Sequence, residues 1–94
     1  MFHICEDEQE LRRRACAALH ADVLPRALPR RTWGGRGSGA LCPVCGHTIE
    51  PAKLEVELEF AAADSGNAVH EVHMHLPCFA AWEIAMRFEA NDSA

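Results

Sequence analysis

An α+β fold, with a β-hairpin lying between two helices, is what the hydrophobic periodicity of this chain predicts. Three observations lead to it. "KLEVELEF" alternates strictly, with Leu54, Val56, Leu58 and Phe60 on one face and Glu55, Glu57 and Glu59 on the other, the period of a half-buried strand. "VHEVHMHL" alternates again through Val72, Met74 and Leu76, and a Ser-Gly-Asn loop separates the two runs, as in a hairpin. Apolar residues at helical spacing lie on both sides of this pair.

The first helix is expected over about Asp7 to Leu24, within an N-terminal segment 1–24. Asp7 is its N-cap and Glu10 stands in capping-box position. Leu11, Ala15, Ala18, Leu19 and Val23 form its apolar stripe. That stripe is thin and rich in alanine, so weak docking, or docking against a partner, is expected. Arg12, Arg13 and Arg14 point to three sides of the helix and cannot form one ridge; pairing with Glu8 and Glu10 is their expected role.

Residues 25–41, "PRALPRRTWGGRGSGAL", carry two prolines and four glycines, which argues against a long regular element and for an arm. Trp33 inside it implies that part of the arm packs onto something, because a solvated indole leaves a large apolar surface in water. The zinc-binding unit is expected over 42–90. In it "PCFAAWEIAMRFEA" makes a helix with Pro77 in its first turn. Trp82 and Met86 share a face with Cys78, and Phe79 lies close by. Residues 91–94, "NDSA", form a polar tail.

A chain of 94 residues buries a smaller fraction of its surface than larger domains do, so a staple is expected. Five cysteines, an odd number, do not make a complete disulfide framework. The start "MFHICEDEQE" lacks the basic-then-apolar order of a secretory signal. No apolar run approaches the roughly eighteen residues of a membrane span. A cytoplasmic chain with reduced cysteines, hence metal ligands or core thiols, is the expectation.

Cys42-x2-Cys45 and His75-x2-Cys78 supply two ligand pairs separated by 29 residues. Three thiolates and one imidazole are a regular tetrahedral set for structural zinc. In "CPVCG", Pro43 presets one dihedral and Gly46 can adopt the positive φ that turns backbone N–H groups toward sulfur. His75 and Cys78 straddle a strand end and a helix start, where the helix dipole favours a thiolate. One structural Zn2+ with no open coordination position is expected.

Knuckle, hairpin and helix in this order describe a treble clef. The spacing, together with "CPVCGHTI" and "HLPCF", resembles the zinc finger of poly(ADP-ribose) polymerases and DNA ligase III over Cys42 to Trp82. That resemblance implies recognition of DNA breaks through basic residues on the backbone and apolar residues on exposed bases. The sequence is also similar to a group of uncharacterised small bacterial proteins carrying a "TWGG…GSG…CxxCG" segment.

Charge divides the chain. Residues 1–41 carry seven arginines against five acids, a net +2, while residues 42–94 carry two basic residues against nine acids, a net −7. Arg26, Arg30, Arg31 and Arg36 lie in a stretch free of acids, with Trp33 among them available for stacking. The hairpin surface "EVELE" repels phosphate. Two functions follow, both without catalysis or a small-molecule substrate. One is nucleic-acid binding through the arginine-rich arm. The alternative is a protein-interaction or self-association module.

Other clusters are weaker. "HEVHMH" has Met74 where a zinc-protease motif needs histidine. On a strand, His73 either pairs with a glutamate of the neighbouring strand or is solvated, the latter being the expectation. His3, Cys5, Cys16 and His20 would make a second metal site only if the chain start folded onto the first helix; an apolar role for Cys16 is simpler.

Overall fold

The computed structural model describes residues 8–21, 23–61 and 69–92. Five elements follow in order: α1 (Glu8–His20), β1 (Arg31–Arg36), β2 (Leu54–Ala61), β3 (Val69–His75) and α2 (Leu76–Asp92). The strands form one antiparallel sheet in the order β1-β2-β3. The α+β expectation holds. Asp7 as N-cap, the Ser-Gly-Asn loop, and His3 and Cys5 lie outside the described residues.

Alternation sets which face of the sheet is covered. Val56, Leu58 and Phe60 of β2 and Val72 and Met74 of β3 are buried. α2 packs on this face through Trp82, whose ring meets Phe60 edge-on at 5.8 Å and Phe79 at 5.9 Å. The Trp82 indole N–H donates to the Pro25 carbonyl at 3.3 Å, satisfying a polar group that would otherwise be orphaned. Leu54 departs from the expected pattern: it is 61% exposed at the end of the strand.

α1 is shorter than expected, ending at His20, where Arg26 donates to the carbonyl of Leu19 at 3.2 Å and satisfies one of the helix's terminal acceptors. It docks within the chain. Leu11, Ala15, Ala18 and Leu19 are buried against α2; the alanines admit close helix approach while the leucines supply buried area. Glu10 pairs with both Arg13 and Arg14. The C-terminal helix continues through Asn91 and Asp92, two residues into the expected tail.

The largest correction concerns the arm. Residues 31–36 form a strand, with Arg31 opposite Glu59, Trp33 opposite Glu57 and Arg36 opposite Leu54. Glycine has poor strand propensity, but pairing along β2 outweighs it. Beyond the strand, the chain runs close to the backbone of Ile49 and Glu50. A Cβ on Gly37 would collide with both carbonyl oxygens. Gly39 N–H donates to Ile49 C=O and Ile49 N–H to Ala40 C=O, at 2.9 and 2.8 Å. These contacts hold the arm against the turn that carries Cys42 and Cys45.

Candidate metal centre

Cys42 and Cys45 sit on a tight turn closed by the Gly46 N–H, which donates to the Cys42 carbonyl at 2.8 Å. Gly46 has φ +78°, the left-handed conformation expected from the motif. His75 ends β3, and Cys78 lies in the first turn of α2. Thus a turn, a strand end and a helix start converge.

The four ligand atoms lie within 4.8 Å of one another. Cys42, Cys45 and Cys78 are no more than 3% exposed and His75 is 5% exposed. His75 Nδ1 is 3.4 Å from Cys45 Sγ and 3.9 Å from Cys78 Sγ. A tetrahedron with metal–sulfur bonds of about 2.3 Å and a metal–nitrogen bond of about 2.0 Å has S···N edges near 3.5 Å. The cluster therefore fits one metal ion bound through Nδ1. None of the four described cysteines is in a disulfide.

The electrostatics suit a cation. A hydrogen bond from Cys78 holds the Cys42 thiol at about 4, far below the usual thiol range. Burial opposes this, while the Cys45 and His75 backbones and the His75 ring reinforce it. Arg14 of α1 donates to the Cys45 carbonyl at 3.4 Å, linking the first helix to the knuckle.

Behind the cluster lies Glu55, opposite His75 in the β2–β3 register. Its position in the alternation predicts solvent, yet it is 6% exposed. Ser38 donates to its Oε1 through both backbone N–H (2.8 Å) and hydroxyl (2.7 Å), and His73 Nδ1 lies 2.7 Å from Oε2. An ionised carboxylate only accepts, so the Nδ1 proton lies between them. His73 is thus paired with a neighbouring-strand glutamate rather than solvated. Glu57 joins Glu55 and His73 in a second group of metal-capable side chains, but both Glu55 oxygens are committed to hydrogen bonds. Local sequence has no signal for this triad, because Ser38 meets Glu55 only through the fold.

The residues proposed for partner contact do not form one patch. Arg26 bonds the end of α1. Arg31 lies 3.9 Å from Glu59, on the face that also bears Trp33, Glu57, Glu71 and His73. Arg36 points to the alternate face at the far end of β1. Arg30 is exposed, its backbone N–H bonded to the Glu59 carbonyl at 2.7 Å. Trp33 remains 42% exposed. Of the suggested second site, Cys16 packs against the core edge and His20 is exposed. Among the described residues, no helix is long and apolar enough to cross a membrane.

Comparison with known proteins finds no matching family model, no matching curated protein and no matching solved structure.

Proposed function

We propose that this chain is a non-catalytic treble-clef module, stabilised by one structural zinc ion, whose role is to bind another protein. Cys42, Cys45, His75 and Cys78 complete a tetrahedron without a place for water or substrate. The metal then acts on folding, with an effect on the order of 10 kcal/mol. A structural site of three thiolates is in keeping with a reducing, cytoplasmic setting. The order of knuckle, hairpin and helix, with the likeness to the fingers of poly(ADP-ribose) polymerases and DNA ligase III, supports the treble-clef reading.

The observation that carries the binding role is β1. It is an edge strand exposed along all six residues, with Trp33 on it, anchored beside the metal turn. Edges of this kind invite strand pairing with another chain. Nucleic-acid binding is the second reading, favoured by exposed Arg30, Arg31 and Arg36. Its difficulty is that Glu57, Glu59 and Glu71 share the sheet face of Trp33 and Arg31 and repel phosphate.

A photo-crosslinking residue at position 33, activated in cells, tests the choice. A protease-sensitive, nuclease-resistant adduct supports the protein reading. A nuclease-sensitive adduct, or none, overturns it.

A further inference from the structure

β1 is hydrogen-bonded to β2 on one side. Gly37 N–H donates to Lys53 C=O at the strand's end, and antiparallel alternation carries that pattern back along the register. Arg31, Trp33 and Gly35 therefore face β2 with their backbone groups, while those of Thr32, Gly34 and Arg36 point outward. Among the described residues, no strand pairs with this outer side. Gly34 and Gly35 have nothing within 4 Å of where a Cβ would stand, so at these two positions β1 presents bare backbone on both faces of the sheet.

The ends of this edge are cationic. Beyond its C-terminal end lies an open concavity of about 520 Å³ lined by Arg36, Pro51, Ala52, Lys53 and Leu54. It contains two cations and no acid, and among the described residues neither cation has an ion-pair partner. Leu54 contributes an exposed apolar wall. Arg30 and Arg31 are exposed at the other end. A strand laid along β1 meets these cations, of which Arg31 already lies 3.9 Å from Glu59, whereas Glu57 and Glu71 lie on β2 and β3 behind it.

We infer that the outer edge of β1 takes an extended, acidic segment of a partner protein as a fourth strand, with carboxylates at Arg36 and Lys53 and at Arg30 and Arg31. The inference rests on the protein-binding reading above and specifies its site and partner chemistry. Thr32, Gly34 and Arg36 supply the backbone hydrogen bonds, and the terminal cations select an acidic segment. A second copy of β1 fits poorly, because it brings no carboxylate to these cations, and the antiparallel register centred on Trp33 sets Arg36 opposite Arg30 of the other copy, where like charges destabilise.

The test is an NMR titration of the zinc-loaded full chain with a peptide alternating glutamate and valine. Controls are its lysine-for-glutamate counterpart and oligothymidine. The acidic peptide should shift and protect the amides of Thr32, Gly34 and Arg36, and the lysine peptide should not bind. Gly34→Pro removes an outward donor without touching the β1–β2 ladder, as edge strands permit. It should weaken binding roughly tenfold, as should Arg36→Glu, which keeps the backbone intact should the proline variant not fold.

Peptide binding unchanged in both variants overturns the edge assignment and leaves protein binding standing. Shifts at the same amides with oligothymidine alone, weakened by salt, overturn both in favour of nucleic acid. Concentration-dependent protection of β1 without peptide overturns the acidic-segment assignment in favour of a second copy. No binding of either probe also overturns the acidic-segment assignment, and the position-33 crosslink then decides independently whether a protein partner exists.

Discussion

His73 Nδ1 and Glu55 Oε2 lie 2.7 Å apart across the β2–β3 pair, beside the register position of His75. With Ser38 on the same carboxylate, this contact ties the arm, β2 and β3 together beside the Cys/His cluster. Replacing Glu55 by alanine leaves the Ser38 and His73 donors without their acceptor, costing about 1–3 kcal/mol. Urea denaturation at saturating zinc should show this loss, and Ser38→Ala should show a smaller one. Wild-type stability in Glu55→Ala would mean that water replaces the carboxylate at no cost.

Metal removal should abolish the fold rather than trim it. A chelator strong enough to strip zinc should erase both the near-ultraviolet signal of buried Trp82 and cooperative thermal unfolding. Cobalt should restore both, with thiolate charge-transfer bands and tetrahedral visible bands. Cys78→Ala should lose those bands. A chelated chain that still melts cooperatively at the same temperature would contradict a structural metal.

Docking of α1 in cis has its own signature. Leu19 is fully buried, so Leu19→Ala should cost about 2–5 kcal/mol. A helix awaiting a partner would register almost nothing. The midpoint of urea unfolding, with zinc held in excess, distinguishes the two.

Glycine substitutions should separate sharply. Gly37→Ala forces a methyl group into the carbonyls of Ile49 and Glu50 and should displace the arm from the metal turn, destabilising by more than about 1–3 kcal/mol. Gly35→Ala meets open space and should stay within about 0.5 kcal/mol of the wild type. Equal effects at the two positions would argue against the close approach at Gly37.

Acid should weaken the α1 surface network. Hydrogen bonds from Arg13 and then Arg14 lower the Glu10 carboxyl from 4.5 to about 2, outweighing its desolvation. A folded-state value below the unfolded one contributes stability that is full above the unfolded value and is lost as pH falls through the folded value. The Tm gap between wild type and Glu10→Gln, small for an exposed network, should hold from neutral pH to about 4.5 and close between 4.5 and 2. A gap that is absent at neutral pH, or that does not narrow between 4.5 and 2, would show that Glu10 is not paired in solution.

The clustered Cys42, Cys45, His75 and Cys78 were legible from spacing alone, because two short pairs on a knuckle and at a helix start are local geometry. The hairpin and C-terminal helix were legible for a related reason: periods of two and near four record which side chains face a core. What only the tertiary structure decided is non-local. The glycines of "TWGG" read locally as an arm, and partnering with β2 makes them a strand. Glu55 reads as a solvent-facing member of an alternating strand, and Ser38, arriving from 17 positions earlier, buries and satisfies it. An alanine stripe says little about docking strength until α2 lies against it. Local sequence encodes which face is apolar, whereas burial, pairing and charge neutralisation depend on what folds onto that face.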